Sequence, residues 1–291
     1  MPEAEAASSP TVSIIIPTYE SSRTLEACLK SILGQTYHLI EVIVVDGYSR
    51  DGTGEIAMKY GARVILASGT QAEARNLGLA ESKGEYILFL DSDQRLTPRV
   101  VEECVGICME DGAEAVKIPE AFMGLSLWGR SSALWKRRMV EAWGREGGIP
   151  RFYRREILMR HQAFDGRLRF WEDMELYERI RESGLREAKC RSRIIHLEPS
   201  SLRRITEKYI AYGRSLSALK GRRSKARRSS TLKLTISTMI RLMRDPGGSL
   251  GTFLGCIITT TIKALSIIIG HMTKVIQWNP QNRDHKEEGP N

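Results

Sequence analysis

The spacing of hydrophobic positions changes along the chain, and each change predicts an element. Four short apolar runs come first: Val12-Ser13-Ile14-Ile15-Ile16, Val42-Ile43-Val44-Val45, Val64-Ile65-Leu66 and Tyr86-Ile87-Leu88-Phe89-Leu90. They are too short for helices and rich in β-branched and aromatic residues, so they read as buried strands of a mostly parallel sheet. Between them the period becomes helical. Leu25, Cys28, Leu29, Ile32 and Leu33 form one face after a cap at Ser22 or Thr24, a second helix runs to about Tyr60, and a third covers Ala72 to Ala80. Alternating strands and helices predict a Rossmann-like, doubly wound α/β fold. Right-handed crossovers place the loops after Ile16, Val45 and Leu90 on one rim.

Further on, a helix is expected over Pro98 to Met109, a strand over Ala115 to Ile118, a helix from Phe170-Trp171-Glu172-Asp173 to about Ser183, and a short strand over Arg193 to Glu198. Residues 120 to 147, with Trp128, Trp135 and Trp143, suit either a helix pair that presents indole rings to a ligand or a structural core. The C-terminal third is amphipathic: Leu202, Ile205, Tyr209 and Tyr212 share a face, as do Leu232, Ile236, Met239, Ile240 and Met243, before a break at Asp245-Pro246-Gly247-Gly248. Leu250 to Met272 is long enough to span a bilayer. Its Thr252, Thr259, Lys263, Ser266 and Gly270 keep a polar stripe, however, and Lys263 would cost about 3 kcal/mol at a bilayer centre. The expectation is a helix lying in the interface, with a true span as the alternative.

Composition narrows the function classes. The 291 residues, 42% hydrophobic, support a real core, and the net charge of +9 is unevenly placed. Arg203, Arg204, Lys208, Arg214, Lys220, Arg222, Arg223, Lys225, Arg227 and Arg228 crowd into one stretch, the kind of block that meets phosphate on nucleic acid or an anionic membrane. It lacks interleaved aromatics or a reader motif, so an anionic membrane surface is the expected partner and nucleic acid is not. The five cysteines are odd in number and show no zinc spacing, which suits a reducing compartment. Residues 1 to 10 have no signal-peptide pattern and read as a loose tail.

The candidate chemistry sits on the predicted rim. Asp91 and Asp93 end an apolar strand one residue apart, which suits a divalent cation bridging to phosphate oxygens. Glu20, Asp46, Arg75 and Asn76 offer acceptors, a cation and an amide to a nucleotide, and no Walker-type loop or G-x-G-x-x-G competes with them. Glu172 and Asp173 open a helix, where the dipole alone favours acids. Trp171 beside them supplies an apolar wall that would raise a carboxylate toward a working base.

Taken in order, Ser13 to Glu20, Val44 to Thr53, Ala74 to Gly78 and Gly84 to Asp93 resemble the successive signatures of the family 2 glycosyltransferases with the GT-A fold. That resemblance covers roughly residues 11 to 200. It implies an inverting, hexosyltransferase-class transfer from a nucleotide-diphosphate sugar, with Mg or Mn as the divalent metal. It places Pro17, Thr18 and Glu20 in the nucleoside pocket, Asp46 on the base, Arg75 toward the nucleotide, and Asp91 and Asp93 at ribose and metal. By the same likeness His196 is a third metal ligand and Asp173 the catalytic base, with Glu172 orienting the acceptor. Relatives often carry a second acid where this chain has Gly47. The run Lys208 to Ser215 resembles lipid-directed members, which implies a lipid-linked, polyprenyl-phosphate or glycan acceptor at the cytoplasmic face of the cell membrane. The expected organisation is a tail over 1–10, a GT-A domain over 11–200, a basic helix and linker over 201–230, membrane-associated helices over 231–277 and a tail over 278–291. A sugar nucleotidylyltransferase is the second enzyme class considered, and the Pro17-Thr18-Tyr19-Glu20 turn speaks against its Gly-rich basic loop.

Overall fold

In the computed structural model the described residues are 9–143, 148–168, 171–216, 237–238, 240–241 and 249–272. Outside them lie most of both expected tails, the basic block from Lys220 to Arg228, nearly all of the helix expected over Leu232 to Arg244, the break after it, and Phe170. Chain order is β1 (Val12–Thr18), α1 (Ser22–Leu33), β2 (Ile40–Asp46), α2 (Thr53–Lys59), β3 (Arg63–Leu66), α3 (Gln71–Glu81), β4 (Tyr86–Phe89) and β5 (Gln94–Leu96). Then come α4 (Val100–Glu110), β6 (Ala115–Lys117), β7 (Glu120–Met123), α5 (Leu127–Trp143), β8 (Phe152–Arg154), α6 (Arg155–Arg160), α7 (Glu172–Arg181), β9 (Glu187–Lys189), β10 (Ile194–Leu197), α8 (Leu202–Leu216) and α9 (Leu250–Met272).

Seven strands form one sheet in the order β3-β2-β1-β4-β8-β6-β9. The first four are parallel, with Ile15 opposite both Ile43 and Phe89. Strand β8 runs antiparallel to β4 and β6. Both faces of β1 are covered: Ile14 and Ile16 pack toward α1 and α4, while Ile15 packs with Leu79, Ile87 and Phe89 on the other side. Two-sided burial is why these strands read as continuous apolar runs rather than alternating ones. Cys104 and Cys108 lie in the core, and all five cysteines are free and buried.

A second sheet of three strands, β5-β10-β7, stands beside the large one. Its centre is β10, which pairs His196 with Gln94 on an antiparallel neighbour and with Phe122 on a parallel one. Residues 127–143 form one continuous helix rather than a helix pair, and Trp135 is buried with Leu134 and Cys256 against α9. The aromatic side chain serves packing there, in agreement with the structural alternative.

Helix α9 packs on α5 and α8 through its polar stripe and turns its apolar stripe outward. Cys256, Thr259, Thr260, Lys263 and Ser266 are buried, whereas Leu250, Leu254, Ile257, Ile258, Leu265, Ile268 and Ile269 are exposed. The polar stripe is turned into the protein because it has partners there. Lys263, 3% exposed, donates from Nζ to Ser132 Oγ at 2.8 Å; Ser132 Oγ donates to Glu198 Oε2 at 2.6 Å; and Lys136 pairs with Glu198 Oε1 at 2.5 Å. Glycines let the helices close on one another. A side chain at Gly213 would run into the Ile267 carbonyl, and one at Gly270 into that of Ile210. Among the described residues, α9 alone is long and apolar enough to cross a membrane, over Leu250–Gly270.

Candidate functional site

The rim at the carboxyl ends of β1, β2 and β4 carries three loops, with the start of α7 facing them. Three non-glycine residues there hold left-handed backbone: Glu20 (φ 49°), Tyr48 (φ 61°) and Trp171 (φ 68°). Such conformations cost of order 1–3 kcal/mol each and persist where neighbours over-determine them. Here the neighbours are visible. The Glu20 main-chain N–H donates to Ser49 Oγ at 2.8 Å, and its side-chain Oε1 accepts from the Arg50 N–H at 2.9 Å. Asp46 is 1% exposed, accepting from Thr18 Oγ1 at 2.7 Å and from the Ser49 N–H and Oγ at 2.8 and 2.7 Å. Its carboxylate thus stitches the first two loops together from behind. Pro17 and Thr18 belong to β1 itself, opposite Val45 and Asp46. Tyr19, Glu20 and Tyr48 are the exposed groups of this corner.

Arg75 also turns inward. Its guanidinium donates to Glu172 Oε1 at 2.5 Å and to Asp91 Oδ1 at 2.8 Å, bridging the end of β4 to the start of α7. Asn76 exchanges two hydrogen bonds with the main chain of Phe164, at 2.8 and 3.0 Å. Arg75 is buried, and both residues shape the site through these partners. Glu172 is buried on Arg75 as well. Burial raises its carboxyl to about 7, with Arg75 opposing and Asp173 adding to the rise.

The two aspartates of Asp91-Ser92-Asp93 separate in role. Asp91 Oδ1 also accepts from Gln71 Nε2 at 3.0 Å, and Oδ2 faces Arg151 at 3.4 Å. Burial would raise its pKa, but Arg151 and Arg75 outweigh this and hold it at about 2. Asp91 is thus held by two guanidiniums, and Asp93 is the more open of the two carboxylates. Asp93, with 32% of its side chain exposed, stands with Oδ2 3.6 Å from His196 Nε2. The other imidazole nitrogen, Nδ1, lies 2.8 Å from Glu120 Oε2 and 3.3 Å from Gln94 Nε2. Burial and Lys136 oppose protonation of His196, but Asp93 and Glu120 overcome them and raise its pKa.

Asp93 and His196 fit a divalent cation as a two-point anchor. Neighbouring ligands at roughly 2.1 Å from an ion sit about 3 Å apart, close to the observed separation, and diphosphate oxygens commonly fill the remaining positions. Among the described residues no group of three or more such side chains converges into a complete cage. Glu120 fits the second layer, since a carboxylate on the far nitrogen of a ligating histidine fixes its tautomer and orientation. Arg151 holds Glu120 in turn, Nε to Oε1 at 2.9 Å. Gln71, Gln94, Glu120 and Arg151 were missed in sequence. They lie in unremarkable stretches, and only the pairing of β10 with β5 and β7 brings Gln94 and Glu120 to His196. Asp173 stands at the open end of α7, where its Oδ1 accepts from the Met174 N–H at 2.7 Å. It lies near enough to Arg75 and Arg151 to help raise the pKa of both.

Residues 13–172 match the sequence profile of Glycosyl transferase family 2. The chain belongs to this family. Among its curated relatives, the glycosyltransferase GlyG of Streptococcus pneumoniae is 36% identical over 112 residues, 36% of this chain and 37% of that protein. An uncharacterized glycosyltransferase of Bacillus subtilis, EpsJ, is 40% identical over 90 residues, 29% of this chain and 26% of its own length. The aligned stretch thus spans about a third of these relatives. The family 2 chain shares its GT-A fold with the mannosyltransferase PcManGT of Pyrobaculum calidifontis, solved with GDP-Man and Mn2+, at TM-score 0.57 and 20% identity over 90% of this chain and 86% of that one. S. aureus TarS 1-349 with UDP-GlcNAc follows at TM-score 0.52 and 16% identity, over 88% and 81%.

Proposed function

We propose that this family 2 chain is an inverting glycosyltransferase that moves a sugar from a nucleotide-diphosphate donor to a lipid-linked, polyprenyl-phosphate or glycan acceptor at a membrane surface. The observation that carries the reading is the approach of Asp93 Oδ2 to His196 Nε2, 3.6 Å, at the rim of a family 2 chain. The donor lies along the rim, its nucleoside against Tyr19, Glu20 and Tyr48, in a corner shaped by Pro17, Thr18 and Asp46. A bound Mg2+ or Mn2+ on Asp93 and His196 would offset the charge of the leaving diphosphate. Arg75 and Arg151 keep Asp91 ionised, and Asp91 faces the ribose side.

Asp173 is the base. It accepts the proton of an acceptor hydroxyl as that oxygen attacks the anomeric carbon and the bond to the diphosphate oxygen breaks, which inverts the centre. With a phosphate acceptor, already ionised at neutral pH, Asp173 positions rather than deprotonates. The membrane side of the reading is supported by the outward apolar face of α9, together with the basic block that precedes it in sequence.

A panel of nucleotide sugars incubated with lipid-phosphate, lipid-linked and glycan acceptors, with Mn2+ and with chelator, tests the reading by mass-detected transfer. Metal-dependent transfer with inverted anomeric configuration is the expected result. Retention would refute the mechanism, and pyrophosphate release from a nucleoside triphosphate would favour a nucleotidylyltransferase.

A further inference from the structure

The loop between β7 and α5 carries apolar side chains outward with no account in the catalytic site. Leu125 is 71% exposed, and Met123 and Leu127 are exposed as well. The loop is tightly built: the Gly129 N–H donates to Ser126 Oγ at 3.0 Å, and Ser126 Oγ donates to the Ser200 carbonyl at 2.7 Å. Leu127 lies over the glycine face of α9, its Cδ1 within van der Waals reach of Cβ positions built at Gly251 and Gly255. Ser131 Oγ reinforces the seam by donating to the Thr252 carbonyl at 3.1 Å. Leu127 therefore meets α9 beside Leu254 and the 74% exposed Leu250, the chain neighbours of these glycines, and Leu125 precedes it by two residues on the same loop. Arg130 and Arg204, both exposed, begin the neighbouring turns of α5 and α8.

We propose that the Met123–Leu127 loop and the outward face of α9 form one continuous surface that docks on an anionic bilayer, the loop leucines entering the acyl boundary and Arg130 and Arg204 meeting the headgroups. This deepens the membrane reading above and rests on it. Apolar side chains rimmed by guanidiniums match an acyl layer beneath anionic headgroups. A second copy of a chain carrying a net charge of +9 would instead bring more positive charge to the rim. The loop follows β7 directly, and β7 pairs with the strand bearing His196. Docking through it sets the metal edge of the site at a fixed height above the lipid, whereas docking through α9 alone leaves that height to the tilt of one helix.

Because the five native cysteines are buried, single cysteines added by Leu125→Cys, Ile258→Cys or Met58→Cys in the full chain can each carry an environment-sensitive fluorophore. The probe is a vesicle of phosphatidylcholine with or without phosphatidylglycerol, containing spin-labelled lipid as a depth quencher. Expected are a blue shift and quenching at positions 125 and 258 on anionic vesicles and none at position 58, with Leu125→Asp weakening vesicle binding about tenfold while nucleotide-sugar binding is unchanged. Response at 258 without response at 125 overturns the loop assignment and leaves α9 as a lipid contact. Silence at both, with concentration-dependent dimerisation in sedimentation, overturns the membrane reading as well and assigns the face to a second copy.

Discussion

Asp91 accepts from two guanidiniums and an amide, whereas Asp93 stands beside an imidazole. Losing the two carboxylates should therefore have different effects. Asp93→Ala is expected to weaken Mn2+-dependent binding of the nucleotide sugar at least tenfold in calorimetry with little change in stability; unchanged binding would remove Asp93 from the metal site. Asp91→Ala takes one of two carboxylates from each of Arg75 and Arg151, which keep Glu172 and Glu120, and should cost about 2 kcal/mol of unfolding free energy, as the loss of hydrogen bonds between charged groups does. Glu172 makes a pH-dependent prediction. Its carboxyl titrates near 7 in the folded chain against 4.5 when unperturbed. Between those values the native state holds the extra proton, so its contribution to stability falls as pH rises from about 4.5 to 7. Denaturation of Glu172→Gln across that window should show a flatter profile than wild type, and an identical profile would contradict the raised pKa.

At the scale of elements, the decisive feature is α9, whose polar stripe is the buried one. Its stripes were legible from spacing alone, yet spacing carries no sign: a polar stripe faces water or faces buried partners, and Ser132, Lys136 and Glu198 are distant in sequence. Lys263 is accordingly an internal residue, its pKa lowered to about 7 by burial against a usual 10.5, with Glu198 opposing the fall. The unfolded chain binds the extra proton between those values, so stability should rise with pH from about 7 to 10.5. Lys263→Met should abolish that rise and leave the protein more stable at pH 7, as a buried charge replaced by an apolar side chain of similar length often does. A loss of several kcal/mol at pH 7 would instead mean that the Lys263–Ser132–Glu198 link is a net stabiliser.

For the whole molecule, these contacts make α9 a wall of the folded unit rather than a tether. Removing residues 250–291 should expose Trp135, Leu134 and the Ser132–Lys136–Glu198 cluster, lower the thermal midpoint and promote aggregation. A well-folded truncated protein of unchanged midpoint would show that α9 is dispensable to the core. What sequence alone determined is the α/β alternation, the order of the first four strands, the rim loops and their acids, because two-sided burial and short-range periodicity leave a direct imprint on residue type. Only the tertiary structure decided which acids face outward. Burial against Thr18 and Ser49 turns Asp46 into a loop brace, Arg75 draws in Glu172 and Asp91, and the small sheet carries Gln94 and Glu120 to His196 from two other strands. Those choices depend on partners far apart in the chain, and pairing at that range leaves no local period to read.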